Sequence, residues 1–462
     1  MRALSSYDIA KLIAKMIPFE PVERVLDELT RSKEIFREMN PSEIKVGKLD
    51  EIEPYEEARG IFVDGSNVVS ERRGAGIAIF SVASLLFSIR GSDLTFESKY
   101  LLTPDLCFLF LVPRFYVGTR ANTIMRGLEN IVAAYMAEKN ENIDFVMMDG
   151  SFASVLLSPK WGIQHLYSDF YLVLRESIGD KSVDIDEKVI DTCEKISIAT
   201  MEALNDIFKE NDPKAIARRF IEKYVESIAK IYDSVLDSCD IPDSVRIPLM
   251  NFVTMFFETN FSMMALKRLM ELAGKKDIFL MWLNKEPESR TLTKKSPNKV
   301  FRMFTDAMVL DFSLENGEYL LNTSPPEITN PRIYVKAGEK LDTSVTHAVV
   351  PEIAESVYRF GKYGLIYSKY VDFVIQYSYS RNMIDVDNET ADHMALRIIR
   401  TLRDISPLGY PIPMIQAHST TILRYSLADI VADSFIRLLE KSEKMFLIKK
   451  LIGKTGRKLA GV

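Results

Sequence analysis

Cysteine is scarce in this sequence, at three of 462 residues. Cys107, Cys193 and Cys239 form no CxxC pair. That excludes a disulfide framework and a cysteine-based zinc site, and it favours a reducing compartment. Long apolar runs are also missing. The longest, "GIAIFSVASLLFSI" (Gly76–Ile89), is shorter than the roughly 20 residues that span a bilayer. No secretory signal is visible, because Asp8 and Lys11 interrupt the amphipathic start "MRALSSYDIAKLIAKMIPFEP". A cytoplasmic protein without a membrane segment is expected. Positive charge is not in excess either. The net charge of −6 does not advertise a nucleic-acid partner, although the field in a groove depends on local charge. Histidine occurs four times, and His165, His347 and His393 have no sequence neighbours that suggest chemistry.

What remains is the composition of an ordinary globular protein, 47% hydrophobic and 27% charged. Two amphipathic helices are expected in residues 1–45, followed by an acidic linker, "LDEIEPYEEARG". The next stretch is rich in β-branched and aromatic residues and is broken by turn signals at "RRGAG" and "RGSD". It reads as three strands of an antiparallel meander. A helix is expected over Arg120–Asn140, then a strand in "IDFVMMDG". Residues 185–275 show apolar spacings of three and four and read as almost wholly helical. Strand character returns at Asp277–Lys285. A basic loop, "EPESRTLTKKSPNK", follows. Further strand-like runs are "AMVLDFSL", "RIYVKA" and "YVDFVIQYSYS". Helices are expected in "ETADHMALRIIRTLRD" and "SLADIVADSFIRLLEK", ahead of a basic tail.

The triplet DGS occurs twice, in "IFVDGS" and "FVMMDGS". Asp64 and Asp149 each close an apolar run that reads as a buried strand. An order of three antiparallel strands, a helix and a fourth strand opens a ribonuclease H-like fold. A right-handed crossover then lays the fourth strand beside the first, and the two aspartates meet at strand ends. Two close carboxylates repel, and a divalent cation relieves the conflict. Magnesium and manganese prefer oxygen ligands, and a two-metal site activates water and stabilises a leaving oxygen. The glycine after each aspartate leaves room for a ligand. A third acid is expected from the helix. Glu129 lies on one face with Met125, Val132 and Met136. Against this stand plainer readings: Asp-Gly is a common turn, and Glu129 pairs with Arg126. His418, in "GYPIPMIQAHSTTI", precedes what looks like an apolar strand, where a neutral imidazole binds metal or moves a proton.

"FVDGS", the helix glutamate, "MMDGS", "LNKEPESRTL", "TDAMVL" and "GYPIPMIQAH" come in an order that resembles the NurA nucleases. The resemblance covers about residues 55–160 and 277–435. It implies an α/β fold with a ribonuclease H-like core, here expected as a mixed five-stranded sheet; the residues themselves add N-terminal helices in 1–50, a helical insertion at 161–276 and a basic tail at 436–462. It implies a manganese-dependent DNA nuclease, with magnesium weaker, that cuts single strands and resects duplex ends 5′ to 3′ during double-strand break repair. It implies a homodimer that works with the hexameric ATPase HerA. By the same resemblance the metal carboxylates are Asp64, Glu129 and Asp149, joined by His418, and Tyr410 is a functional tyrosine. Lys285, with Arg290, Lys294 and Lys295 of the basic loop, is expected on DNA phosphates.

Two rivals use the same fold. One is a phosphotransferase or ATPase of the sugar-kinase and actin type, which needs glycine-rich phosphate loops that 20 glycines do not supply. The other is a non-catalytic scaffold that regulates a motor ATPase, which intact acids at all three positions argue against.

Overall fold

The computed structural model describes residues 44–102, 107–156, 182–210, 213–237, 243–295, 301–323, 362–370, 373–381, 384–406 and 410–439. The expected N-terminal helices, the run "RIYVKA", His165, His347, Cys239 and the basic tail lie outside them. The described residues begin with strands β1 (Ile44–Lys48), β2 (Glu57–Glu71), β3 (Gly76–Arg90), β4 (Asp93–Leu102) and β5 (Phe108–Leu111). Helix α1 (Val117–Lys139) and strand β6 (Phe145–Asp149) follow. Then come α2 (Ser182–Phe208), α3 (Pro213–Asp237), α4 (Asp243–Lys275) and β7 (Phe279–Asn284). The rest comprises α5 (Asp306–Ser313), β8 (Glu318–Asn322), β9 (Tyr363–Tyr370) and β10 (Phe373–Ser380), then α6 (Asn388–Asp404), α7 (Ile412–Thr421) and α8 (Leu427–Leu439).

Two compact units share these elements. The larger holds Pro54–Trp282, Glu327–Tyr363 and Tyr379–Val462. Its strands run in the order β7-β6-β2-β3-β4, and β5 also pairs with β3. The meander is antiparallel, from Glu57 opposite Arg90 to Glu71 opposite Gly76. β6 returns parallel to β2, from Gly60 beside Phe145 to Val63 beside Met148. Alternation along a strand sends successive side chains to opposite faces. Odd-numbered residues of β2 point to α1, as Asn67 does when its Nδ2 donates to Asn122 Oδ1 at 2.8 Å. Even-numbered residues point to α7 and α8, where Ser70 hydrogen-bonds to Asp429. On that second face, Phe62 lies tilted against Phe87, and Phe87 meets Phe145 edge to face, with centroids 5.7 and 5.8 Å apart. All three are buried.

α8 is fastened by a buried cation. Arg72 is fully buried and pairs with Asp429 at 2.7 Å and Asp433 at 2.9 Å. On the other face, α1 packs against α4. Arg120 of α1 donates to both carboxylate oxygens of Glu258 at 3.0–3.1 Å, and to the Pro113 carbonyl at 2.6 Å. The α3 hydroxyl of Tyr224 donates to Glu258 Oε1 at 2.5 Å.

The smaller unit holds Met1–Glu53, Leu283–Pro326 and Gly364–Ser378. Its strands run β1-β8-β9-β10, with β1 to β8 and β8 to β9 antiparallel.

Four expectations change. The strands number ten in the described residues, not five. "AMVLDFSL" is helix α5, because Thr305 caps it by accepting from the Met308 amide at 3.3 Å. The segment with His418 is helix α7, whose prolines sit in the first turn, where a missing N–H costs nothing. "YVDFVIQYSYS" is not one strand: Tyr370 ends β9, and β10 begins at Phe373.

Candidate active site

Asp149 ends β6, and Gly150 turns the chain away with φ of +101°, a conformation that favours glycine. Asp64 does not end a strand. It lies inside the fifteen-residue β2, opposite Ala83 of β3. The expected pairing arises differently. The β2–β6 ladder stops at Val63 beside Met148, one residue before the two aspartates. Asp64 and Asp149 are therefore next in register, where β6 leaves β2. Asp64 is 1% exposed, and Asp149 is half-buried.

The even face of β2 carries Asp64 toward α7. Its Oδ2 lies 2.9 Å from Nδ1 of His418. The imidazole is about half exposed, at 49%. A carboxylate facing Nδ1 selects the tautomer with the proton there, which leaves Nε2 as the acceptor. Tyr410, just ahead of α7, is half-buried. Burial, then the charges of Asp149 and Asp64, push its phenol well up, so it remains protonated at neutral pH.

Glu129 arrives from the opposite face. It belongs to α1, on the odd side of β2, and is 5% exposed. Its carboxyl rests against Gly65: a Cβ built on Gly65 would lie 2.7 Å from Oε1 and 3.0 Å from Cγ. The Gly65 backbone beside it favours the charged form. Burial pushes the Glu129 carboxyl well above the usual range, and the charges of Asp64 and Asp149 push it further. Arg126 opposes this from the same helix.

The NurA domain family matches residues 59–421. The chain belongs to the NurA family. No curated protein matches it. A crystal structure of NurA is similar with a TM-score of 0.53 at 15% identity, covering 96% of this chain and 99% of that one. A crystal structure of NurA bound to dAMP and manganese gives 0.51 at 15% identity, covering 92% and 97%. The NurA nuclease from Sulfolobus solfataricus gives 0.46 at 14% identity, covering 94% and 97%. The first two likenesses show a NurA fold.

Among the described residues, no three carboxylate or imidazole groups converge into a formed metal cage. The donor set of this NurA site nevertheless fits a hard divalent cation. Burial first, then the charges of Asp64 and Asp149, raise Glu129, and oxygen donors beside an imidazole suit manganese.

The expected DNA contacts lie in the smaller unit. Arg290, Lys294 and Lys295 are exposed, and Lys285 is half-buried. Sequence reasoning missed what shapes their loop. Asp306 is fully buried. Its Oδ1 accepts from the amides of Leu292 and Thr293 at 3.0 and 2.8 Å, and its Oδ2 from Ser289 and Tyr367 hydroxyls at 3.0 and 2.9 Å. "TDAMVL" contains Asp306, but only the Thr-Asp that opens an eight-residue helix hinted at it. Arg120, Glu258 and Arg72 were missed as well, because a buried ion pair leaves no periodic signal.

Proposed function

We propose that this chain is a manganese-dependent nuclease that hydrolyses phosphodiester bonds in DNA. The observation that carries the reading is the placing of Asp64 and Asp149 next in register where β6 ends, with Glu129 feeling the charge of both and His418 held on Asp64. A NurA chain crystallised with dAMP and manganese supports it. Asp64, Glu129 and Asp149 would hold the metal, with Nε2 of His418 beside them. Bound there, it supplies Lewis-acid polarisation of the phosphate and an activated water, through two ions in the fuller form of this reading. The chain's own groups do the remaining work. Asp64 fixes the His418 tautomer, so that Nε2 meets ligand or proton. Tyr410, kept protonated, has a hydrogen bond to donate to a phosphate oxygen. Glu129 yields its proton as the carboxyls acquire a cation.

The finer reading is a single-strand endonuclease and 5′ to 3′ exonuclease in end resection, with magnesium less effective than manganese. It acts in the cytoplasm as a homodimer with a HerA-type hexameric ATPase, and Lys285, Arg290, Lys294 and Lys295 meet phosphates. The strand order β4-β3-β2-β6-β7 supports a ribonuclease H-like core. In the described residues no helix is long and apolar enough to cross a membrane.

Release of nucleotides from end-labelled single-stranded DNA tests the reading. Wild type should release them with manganese and not with EDTA, and Asp64→Asn and Asp149→Asn should release none. Digestion by either variant at the wild-type rate would remove the aspartate pair from the chemistry. ATPase stimulation without any cleavage would favour the scaffold.

A further inference from the structure

Asp64 and Glu129 sit on opposite faces of one strand, yet their charges act on each other. Asp64 points to the α7 side, where His418 meets it. Glu129 comes from α1, on the side to which Asn67 points. A glutamate on one side of a sheet is ordinarily screened from the other by the strand's side chains and hydrogen-bonded backbone. Two local features open the way here. β6 stops at Asp149, so β2 has lost its parallel neighbour at this level. Residue 65 has no side chain, and the Glu129 carboxyl occupies the space that a Cβ would take.

We infer that Gly65 is a positioning residue, a notch in β2 through which Glu129 reaches the carboxylate pair on the far face of the sheet. The inference rests on the metal-site reading for its purpose, though not for its geometry. Backbone conformation does not explain the glycine. Gly65 lies in regular strand pairing opposite Val82 and has no positive φ, whereas Gly150 has one. Alanine is better than glycine in a strand, since it loses less conformational freedom. Only the contact with Glu129 stands against it. A Cβ at 65 would approach Oε1 of Glu129 at 2.7 Å, closer than packed atoms tolerate, and Cγ and Cδ at 3.0 and 3.1 Å, so the buried glutamate would have to shift. The two DGS triplets thus use their glycines differently: one frees space, the other turns the chain.

A two-by-two cycle tests this: wild type, Gly65→Ala, Glu129→Ala and the double variant. Melting is followed in EDTA, where no metal contributes. Gly65→Ala should lower the melting temperature when Glu129 is present and leave it unchanged or raised when residue 129 is alanine. An equal fall in both backgrounds would overturn the notch. Calorimetric titration with manganese then reads the purpose. Gly65→Ala should weaken binding at least about tenfold in the wild-type background and have no further effect on Glu129→Ala. Wild-type manganese affinity in Gly65→Ala would show that Glu129 reaches its place without the notch, and would also overturn the inference. If the wild-type protein binds no manganese, the metal reading fails, and the melting cycle still decides the notch. In Gly65→Ala, Glu129→Asp should recover part of the lost stability, because the shorter side chain withdraws from the added methyl group.

Discussion

Oδ2 of Asp64 and Nδ1 of His418 stand 2.9 Å apart, joining β2 to a helix 354 residues later in the chain. The contact leaves Nε2 as the acceptor and makes Asp64 the group that orients the imidazole; in the proposed nuclease Asp64 would hold the metal as well. His418→Ala removes both nitrogens, while His418→Asn keeps a donor for Asp64 and removes Nε2. Both should lose about 100-fold or more in kcat, the range of a misplaced acid–base group. Both should also narrow the manganese over magnesium preference, since an imidazole nitrogen favours manganese. Wild-type turnover by His418→Asn would reduce His418 to an orienting role. An unchanged metal preference in His418→Ala would take the ring out of the metal shell.

Glu129 predicts a trade between stability and function. Burial first, then Asp64 and Asp149, raise its folded pKa above that of the unfolded chain. Between those two values the folded state holds a proton that the unfolded state has released. Stability of the metal-free protein therefore falls as pH rises through this window, and stays lowered above it. Glu129→Gln removes the penalty. Its metal-free melting temperature should exceed that of wild type by a few degrees at neutral pH, with the gap closing toward the ordinary glutamate range. Manganese should raise the wild-type melting temperature and raise the variant far less. A pH-independent gap would mean that the raised carboxyl is not the cause.

The pair Arg120 and Glu258 should be unforgiving to single changes. Each is 1% exposed, and the pair joins α1 to α4, with Tyr224 of α3 bound to the same carboxylate. Removing one partner strands the other charge in the interior, at a cost of about 3–5 kcal/mol. Arg120→Met and Glu258→Leu should each show that loss in urea unfolding. The double variant should be milder than the sum, because no uncompensated charge remains. Additive losses would argue that the two groups do not act as a pair.

The aspartate pair was legible because its signal is local. An apolar run, an Asp-Gly and a returning strand after one helix constrain where the ends meet. Glu129 was legible because one acid interrupts an apolar helical stripe. The mid-strand position of Asp64 was not, because Asp-Gly reads as a turn unless the following residues, "SNVVSE", are known to continue the hairpin. α5 and α7 were misread for a related reason. Their runs are short and apolar, and period alone cannot tell a short buried helix from a strand. Thr305 and the prolines of "YPIP" were the arbitrating signals. The face from which each acid enters depends on which helix covers which side of the sheet, and no residue spacing encodes that.

The last prediction concerns the basic loop and the buried carboxyl inside it. Asp306 accepts two backbone amides and the Thr293 hydroxyl on one oxygen and two hydroxyls on the other. The Asp306 amide donates to the Ser289 carbonyl at 2.7 Å. These bonds curl residues 289–293 around Asp306 and leave Arg290 and Lys294 exposed on the outside. If the loop meets phosphates, its affinity depends on those cations being held in place, since a loop that must order on binding spends part of its interaction energy doing so. Asp306→Ala removes the hub and should weaken single-stranded DNA binding about as much as Arg290→Ala with Lys294→Ala. In both proteins the salt dependence should become shallower by about 1.4 in slope, close to 0.7 for each lost single-strand phosphate contact. Asp306→Asn should retain binding. Its carbonyl oxygen still faces the Leu292 and Thr293 amides, and its NH2 meets two hydroxyls that are able to accept. Manganese affinity should be unchanged in all three, as a control that the carboxylate site is intact. An unchanged salt slope in the Arg290/Lys294 double variant would show that the loop does not touch DNA, whatever Asp306 does for its shape.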